Sequence, residues 1–397
     1  MASKKGRAEN QREPQRKQGL DKMKTTLGTS KKKTATPVAP AKKILVAAKK
    51  LPVKKAEAPV AKVAEKAKRP GMDFIGTFPF RKSVDDKKTE AKKLPTGPVF
   101  PVGSYKIVHF DTALARAFAH EFQEVFMGRY SSDKLNFGFV PVTNIASDSA
   151  TISSEIERLK NKEIDILLLN MKDIPLEIPT ELTLVSALRR EDPRDALITR
   201  ATYGAIQELP TQARIGCNSK RRLMQVRALR PDLKITTTFG PLNDRLKRLE
   251  AGEIDALLVA WATLRRLNHS PRFYVALQPE QMAPAACQGT LGVMVRSDEA
   301  ELIAKLRYIE DSEASWSARC ERAFLSKIGR GRDLPAGVFA HRKGTQDPWI
   351  LDVILGDSVS GEVLKHREIG TSRCKPESLA DKAFVGVLSK GARKFFS

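Results

Sequence analysis

The sequence predicts an α/β protein: two lobes with mixed, mainly parallel sheets, a small C-terminal α/β domain, and a disordered basic N-terminal tail. Three observations predict it. From residue 105 onward, short apolar runs alternate with longer amphipathic ones. That alternation is completed twice in succession. Charge, finally, divides the chain into two unlike parts. The 397 residues carry 70 Lys+Arg against 46 Asp+Glu, a net charge of +24, but the first hundred hold 27 basic and 9 acidic residues and the remainder 43 and 37. A basic tail is therefore joined to a nearly balanced body long enough for two or three domains.

Each element follows from its pattern. Lys106–Phe110 reads as a strand. Ala113–Tyr130 reads as a helix because Leu114, Phe118, Phe122 and Phe126 recur at four-residue spacing and so share one face. Phe137–Val142 is a strand, Ile152–Lys162 a helix and Asp165–Leu169 an apolar strand. The grammar then repeats: strand Ala213–Gly216, helix Lys220–Leu229, strand Lys234–Phe239, helix Leu242–Ala251, strand Ala256–Ala260. Repeated strand–helix–strand units imply parallel pairing with helices on both sheet faces. Two such units give two lobes and a cleft, with ligands expected beyond the C-terminal strand ends. The last stretch has a helix at Ala314–Ile328, antiparallel strands at Trp349–Leu355 and Glu362–Ile369, and a helix at Pro376–Lys394. The expected division is a tail over 1–72, a linker over 73–103, a first lobe over 104–200 and 287–308, a second over 201–286, and a C-terminal domain over 309–397.

The tail is rich in Lys, Ala, Pro and Val and poor in aromatics, so it buries too little apolar area to offset its ordering entropy. Its charge suits a nucleic-acid backbone or another anionic surface; a solvated extension and a targeting presequence are the alternatives. Phe74, Phe78 and Phe80 mark the linker as a segment that could dock on the body. Cys217, Cys287, Cys320 and Cys374 are irregularly spaced, with no CxxC pair. That argues against a metal site or a disulfide framework and for a reducing compartment. No apolar run approaches the roughly 18 residues of a bilayer span, and no secretory h-region follows the N-terminus. The expectation is an intracellular, mostly cytoplasmic protein, organelle or nucleus being alternatives, with no membrane partner and a monomeric body.

Several segments, in order, resemble the porphobilinogen deaminase (hydroxymethylbilane synthase) family. Ile164–Pro175 resembles "IDIAVHSLKDMP", Arg194–Ile198 "RDVLVS", and Ile215–Arg222 "IGTSSLRR". Asn243–Leu249 resembles "VDTRLRKL", Gly252–Leu267 "GEYDAIILAxAGLxRL", Pro284–Gly292 "PAVGQGALG" and Cys320–Leu325 "AERAFL". The likeness covers residues 105–345 well and the last fifty loosely. It implies two periplasmic-binding-protein-like lobes and, as activity, the condensation of porphobilinogen to hydroxymethylbilane in tetrapyrrole (haem) biosynthesis, a transferase reaction.

That chemistry needs a carboxylate to stabilise a cationic intermediate, arginines to grip substrate carboxylates, and a thiolate to anchor a dipyrromethane cofactor. By resemblance, Asp173 is the catalytic aspartate and Lys172 its neighbour. Arg221, Arg222, Arg245, Ser219, Gln288 and Gly289 bind substrate, and Arg194 is structural. Without the resemblance, Asp173 reads as a loop-opening cap, and Arg221 and Arg222 as solvated helix charges. The chain also departs from the pattern. Phe110 and Phe239 stand where the family has arginines, Asp148 where it has a basic residue, and Leu169-Asn170 where it has His-Ser. Counting back from Pro335 puts Arg332 at the cofactor cysteine, and arginine forms no thioether. The residues therefore also support a second reading: a pseudoenzyme scaffold or anion-binding module, tethered through its tail to nucleic acid or a large complex, the dipyrromethane being absent.

Overall fold

A computed structural model describes residues 104–110, 112–130, 136–142, 149–329 and 334–396. The expected tail and linker, Asp148 and Arg332 lie outside the described residues, and of Phe110 only the backbone is described.

The first lobe begins with β1 (Ser104–Phe110), α1 (Ala113–Arg129), β2 (Asn136–Val142), α2 (Ser149–Lys160), β3 (Ile166–Asn170) and β4 (Leu182–Ala187). Thr112 starts α1 as its N-cap, accepting the amide of Ala115 at 3.1 Å, which satisfies one of the free donors of a helix start. Phe118, Phe122 and Phe126 are buried as their spacing requires, while Leu114 is half-buried. The second lobe holds β5 (Asp195–Thr199), β6 (Arg214–Gly216), α3 (Lys220–Leu229), β7 (Lys234–Thr236), α4 (Leu242–Glu250), β8 (Ala256–Ala260), α5 (Trp261–Arg266) and β9 (Tyr274–Ala276). The chain then returns to the first sheet as β10 (Leu291–Arg296) and α6 (Ala300–Tyr308). It ends with α7 (Ser312–Ile328), β11 (Ala336–His341), β12 (Ile350–Gly356), β13 (Val363–Ile369) and α8 (Pro376–Ser389).

The two lobe sheets share one plan. The first has strand order β2-β1-β3-β10-β4 and the second β7-β6-β8-β5-β9. In each, the first three strands pair in parallel and the fourth runs antiparallel to both neighbours. The two expected lobe sheets are thus present, and both are mixed. The alternation legible in the sequence omits β4, β5, β9, β10 and β11. The strands of this set that lie in the lobes are those whose pairing partners do not follow the local strand–helix–strand rhythm. Many boundaries shift, most of them by one to three residues, and two of the shifts have a visible cause. β7 stops at Thr236 rather than Phe239, before Gly240 turns the chain at φ +92. The last helix stops at Ser389, ahead of a left-handed Gly391 and a 3-10 turn over Ala392–Phe395.

The C-terminal unit is an antiparallel β11-β12-β13 sheet with α7 and α8. Its apolar residues belong to the same continuous core as those of the first lobe, whereas the second lobe has separate cores on its two sheet faces. Contact between the second lobe and the C-terminal unit includes a small cluster of Met224, Ala283, Ile354 and Val363.

The chain crosses between lobes twice, and the crossings lie side by side. Leu188 N–H donates to Leu291 O at 3.2 Å and Glu191 N–H to Gly289 O at 3.1 Å. Gly289 has φ +88, and a Cβ there would overlap the carbonyl oxygen of Glu191. Positive φ and that backbone approach together admit only glycine. Glu321 of α7, fully buried, fastens this crossing. It accepts from Arg190 Nη1 at 2.7 Å, from Ala340 N at 2.8 Å, and from the amide of Cys287. Gly289→Ala is expected to destabilise the body by about 3 kcal/mol, read as a lowered urea midpoint with unchanged slope; a midpoint within 0.2 M of wild type (about 0.5 kcal/mol at ordinary slopes) would contradict this account of the hinge.

Candidate carboxylate-binding cleft

The site lies where the C-terminal ends of the lobe strands meet the crossing segments. In the first lobe, β3 ends at Asn170 and passes into a 3-10 turn, Met171–Asp173, that carries Lys172 and Asp173. The turn is held from two sides. Met171 N–H donates to Thr290 O at 3.0 Å, two residues beyond Gln288. Arg322 of α7 donates to the carbonyls of Ile174 (3.1 Å), Pro175 and Leu176 (3.2 Å), just past Asp173. Burial lowers the Arg322 pKa. Asp173 and Lys172 are half-buried beside one another, and Asn170 Oδ1 is buried without a partner among the described residues.

In the second lobe, β6 ends at Gly216 and leads through Cys217-Asn218-Ser219 into α3. Ser219 is the N-cap, its Oγ accepting Arg222 N–H at 3.5 Å. Arg221 and Arg222 are not solvated charges: they are 5% and 8% exposed. Both turn inward onto Asp195, which opens β5 and is wholly buried. Arg221 Nη1 donates to its Oδ2 at 2.6 Å, and Arg222 Nη2 and Nε donate to its Oδ1 at 2.7 and 3.0 Å. Gln288 adds its Nε2 to the same Oδ1 at 3.0 Å and to Pro193 O at 2.6 Å, while its Oε1 receives Arg221 Nη2 at 3.4 Å. Burial alone would raise the Asp195 pKa, but the two guanidiniums hold it far below the carboxylate range. Ser219, Arg221, Arg222 and Gln288 are thus brought together, with much of their hydrogen bonding directed inside the protein. Arg194 bonds locally to Asp192 at 2.6 Å.

Arg245 differs. It projects from α4, half-buried, with no ion pair among the described residues and its Nε buried without a partner among them. Desolvation and then the nearby Arg222 charge lower its pKa. Close by in sequence, Thr238 is 0% exposed and its Oγ1 also lacks a partner. Arg245 Nε and Thr238 Oγ1 are thus two polar atoms without a partner among the described residues, the first of them in the opening turns of α4. Phe239, by contrast, is 74% exposed.

The lobes also meet directly. Arg266 of α5 donates to both oxygens of Glu121 in α1 at 2.8 and 3.3 Å, lies 5.0 Å over the Phe118 ring, and donates to Gly289 O at 3.0 Å. Asp195, Thr238 and the Arg266–Glu121 pair were not singled out by sequence reasoning. The one available signal was an acid at the head of an otherwise apolar strand, Asp195-Ala196-Leu197-Ile198.

All four cysteines are among the described residues. Cys217, Cys287 and Cys320 are buried and Cys374 half-buried. Desolvation raises every thiol pKa, that of Cys287 to about 12. Among the described residues there is no cluster of metal-ligand side chains, and no helix is long and apolar enough to cross a membrane.

A family model described as porphobilinogen deaminase, dipyromethane cofactor binding domain, matches residues 112–304. The chain is 37% identical over 251 residues to a porphobilinogen deaminase of Roseiflexus sp. (strain RS-1), covering 63% of this chain and 81% of that one. It is 35% identical over 266 residues to one of Chlorobaculum tepidum, covering 65% and 82%. Among solved structures, a TRAP periplasmic solute binding protein from Desulfovibrio salexigens aligns with 56% of this chain and 77% of that chain, at 10% identity and a TM-score of 0.36.

Asp195→Asn leaves two buried guanidiniums short of their counter-charge and is expected to cost about 3–5 kcal/mol. Because the folded-state pKa of Asp195 is depressed, its contribution is fully present at neutral pH and is lost as pH falls below the unfolded value of about 4. Urea unfolding of wild type and variant between pH 3 and 7 should show the gap narrowing as pH falls; a constant gap would refute the charge-based account.

Proposed function

The chain belongs to the porphobilinogen deaminase family, and on that premise we propose that it is a ligand-binding member that holds carboxylated pyrroles such as porphobilinogen without joining them. The observation that carries this reading is the state of the thiols. The family's dipyrromethane must be anchored through a thiolate, and the thiolate is the reactive form. Arg332 stands at the anchor position in sequence and none of the four cysteines lies in the segment around it; burial pushes the pKa of each existing thiol up. Cys320, the cysteine nearest in sequence, is fully buried within α7. These residues do not fit the cofactor, so no step is assigned through it.

Binding is better supplied. Arg245 offers an unsatisfied donor to a carboxylate, α3 contributes its N-terminus behind Ser219, and Asp173 with Lys172 stands at the end of β3. In this reading Arg221, Arg222 and Gln288 stiffen the cleft around Asp195, and Arg245 is the principal grip. Asp173 would face the amino or pyrrole N–H groups of the ligand. Phe239 replaces a cationic grip with an apolar face.

Incubating the purified chain with porphobilinogen is expected to yield no uroporphyrin after oxidation and an intact mass equal to the bare polypeptide. Porphobilinogen should still bind saturably, and Arg245→Met should weaken it roughly 30- to 100-fold, the worth of one charge-assisted contact. Pigment, or a covalently added dipyrromethane, would establish the chain as a working deaminase instead.

For the tail, we propose a tether to nucleic acid or to an anionic complex, supported by its surplus of basic residues. Removing residues 1–72 is expected to weaken binding to a double-stranded DNA probe and to flatten the dependence of log K on log salt concentration. An unchanged slope would reject the tether.

A further inference from the structure

A cavity of about 400 Å³ lies away from the cleft, between the second lobe and the C-terminal sheet, a size within the range of small-molecule sites. Its floor is Gln225 of α3 and Ala283 of the second crossing segment, and Pro279 and Glu280 form one side. The opposite wall is the β12–β13 ribbon. Asp352 pairs in register with Arg367 and Ile354 with Lys365, so these four side chains share one sheet face.

The charges of that wall are unequally matched. Arg367 is bound by Asp352 at 2.6 and 2.9 Å and approached by Glu280 at 3.8 Å. Asp352 is bound on its other side by His341 at 2.9 Å. Lys365 has no ion pair among the described residues. Of the remaining lining residues, Pro279, Ala283, Val353 and Ile354 are apolar and His366 is polar. One ammonium without an ion pair among the described residues, beside the apolar surfaces of Pro279, Ala283, Val353 and Ile354, suits a small organic anion with a hydrophobic body.

The floor is also wired to the cleft. Ala283 O accepts Arg221 Nη1 at 2.7 Å and Gln225 Nε2 at 3.1 Å, and Ala283 N–H donates to Gln225 Oε1 at 2.7 Å. A ligand resting on Ala283 therefore bears on the residue that anchors the Arg221–Asp195 pair.

We propose that this cavity is a second, non-cleft binding site for small apolar monocarboxylates, with Lys365 as the counter-charge and Ala283 as the link to the cleft. It is independent of whether the cleft holds pyrroles. Hexanoate and benzoate serve as probes, titrated into the full-length protein by calorimetry. Lys365 is exposed on the sheet, so its replacement leaves the fold intact. Saturable binding is expected, at least about tenfold weaker in Lys365→Met, restored in Lys365→Arg, and unchanged in Arg245→Met. Absence of saturable binding, binding that persists in Lys365→Met, or binding lost only in Arg245→Met, which would put the anion in the cleft, would overturn the proposal.

Discussion

Asp195 is the charge around which the second lobe and its junction are arranged. A carboxylate removed from water is costly unless fully compensated, and here the compensation comes from three directions: Arg221 and Arg222 at the start of α3, and Gln288 on the returning crossing segment. This sets the orientation of α3 relative to β5 and ties the crossing segment to the second lobe. It also decides what the cleft can offer. Two arginines that would serve as solvent-facing grips are largely committed, and Arg245 has no ion pair and an unpartnered Nε among the described residues.

The first lobe and the C-terminal unit share one core, so they form a single packed body through which Glu321 reaches both crossing segments. The second lobe has its own cores and joins that body through polar contacts, the small Met224 cluster and the Arg266–Glu121 pair. Apolar packing resists sliding, whereas polar contacts can be exchanged with water. The contacts most readily exchanged with water therefore lie between the second lobe and the rest. Gly289 sits at that junction because no side chain fits beneath the Glu191 carbonyl.

On the proposed reading, an anchoring thiol and a carboxylate site are separable in physical terms. A thioether needs one deprotonated sulfur in one place. A carboxylate site needs only unsatisfied donors in a partly dry cleft, and several elements supply them. A scaffold that lost the first could keep the second, which is why the proposal places the grip at Arg245 and the Ser219-capped helix.

Much of this was legible in the sequence. The four-residue spacing in α1, the apolar runs of β3 and β8, and the ordered segments from Ile164 to Leu325 gave the fold class, the family resemblance, and an arginine at the anchoring position. These signals are local, or depend on matching residue order, and need no partner to be known. The tertiary structure alone decided where the charges go. Arg221 meets Asp195 across 26 residues and Gln288 meets it across 93, and no periodicity encodes such pairings. It decided likewise that β5 and β10 enter their sheets antiparallel, that the C-terminal unit shares the first lobe's core, and that the remaining thiols are desolvated. Burial and ion pairing are properties of neighbours in space, and the chain brings those neighbours together only when it folds.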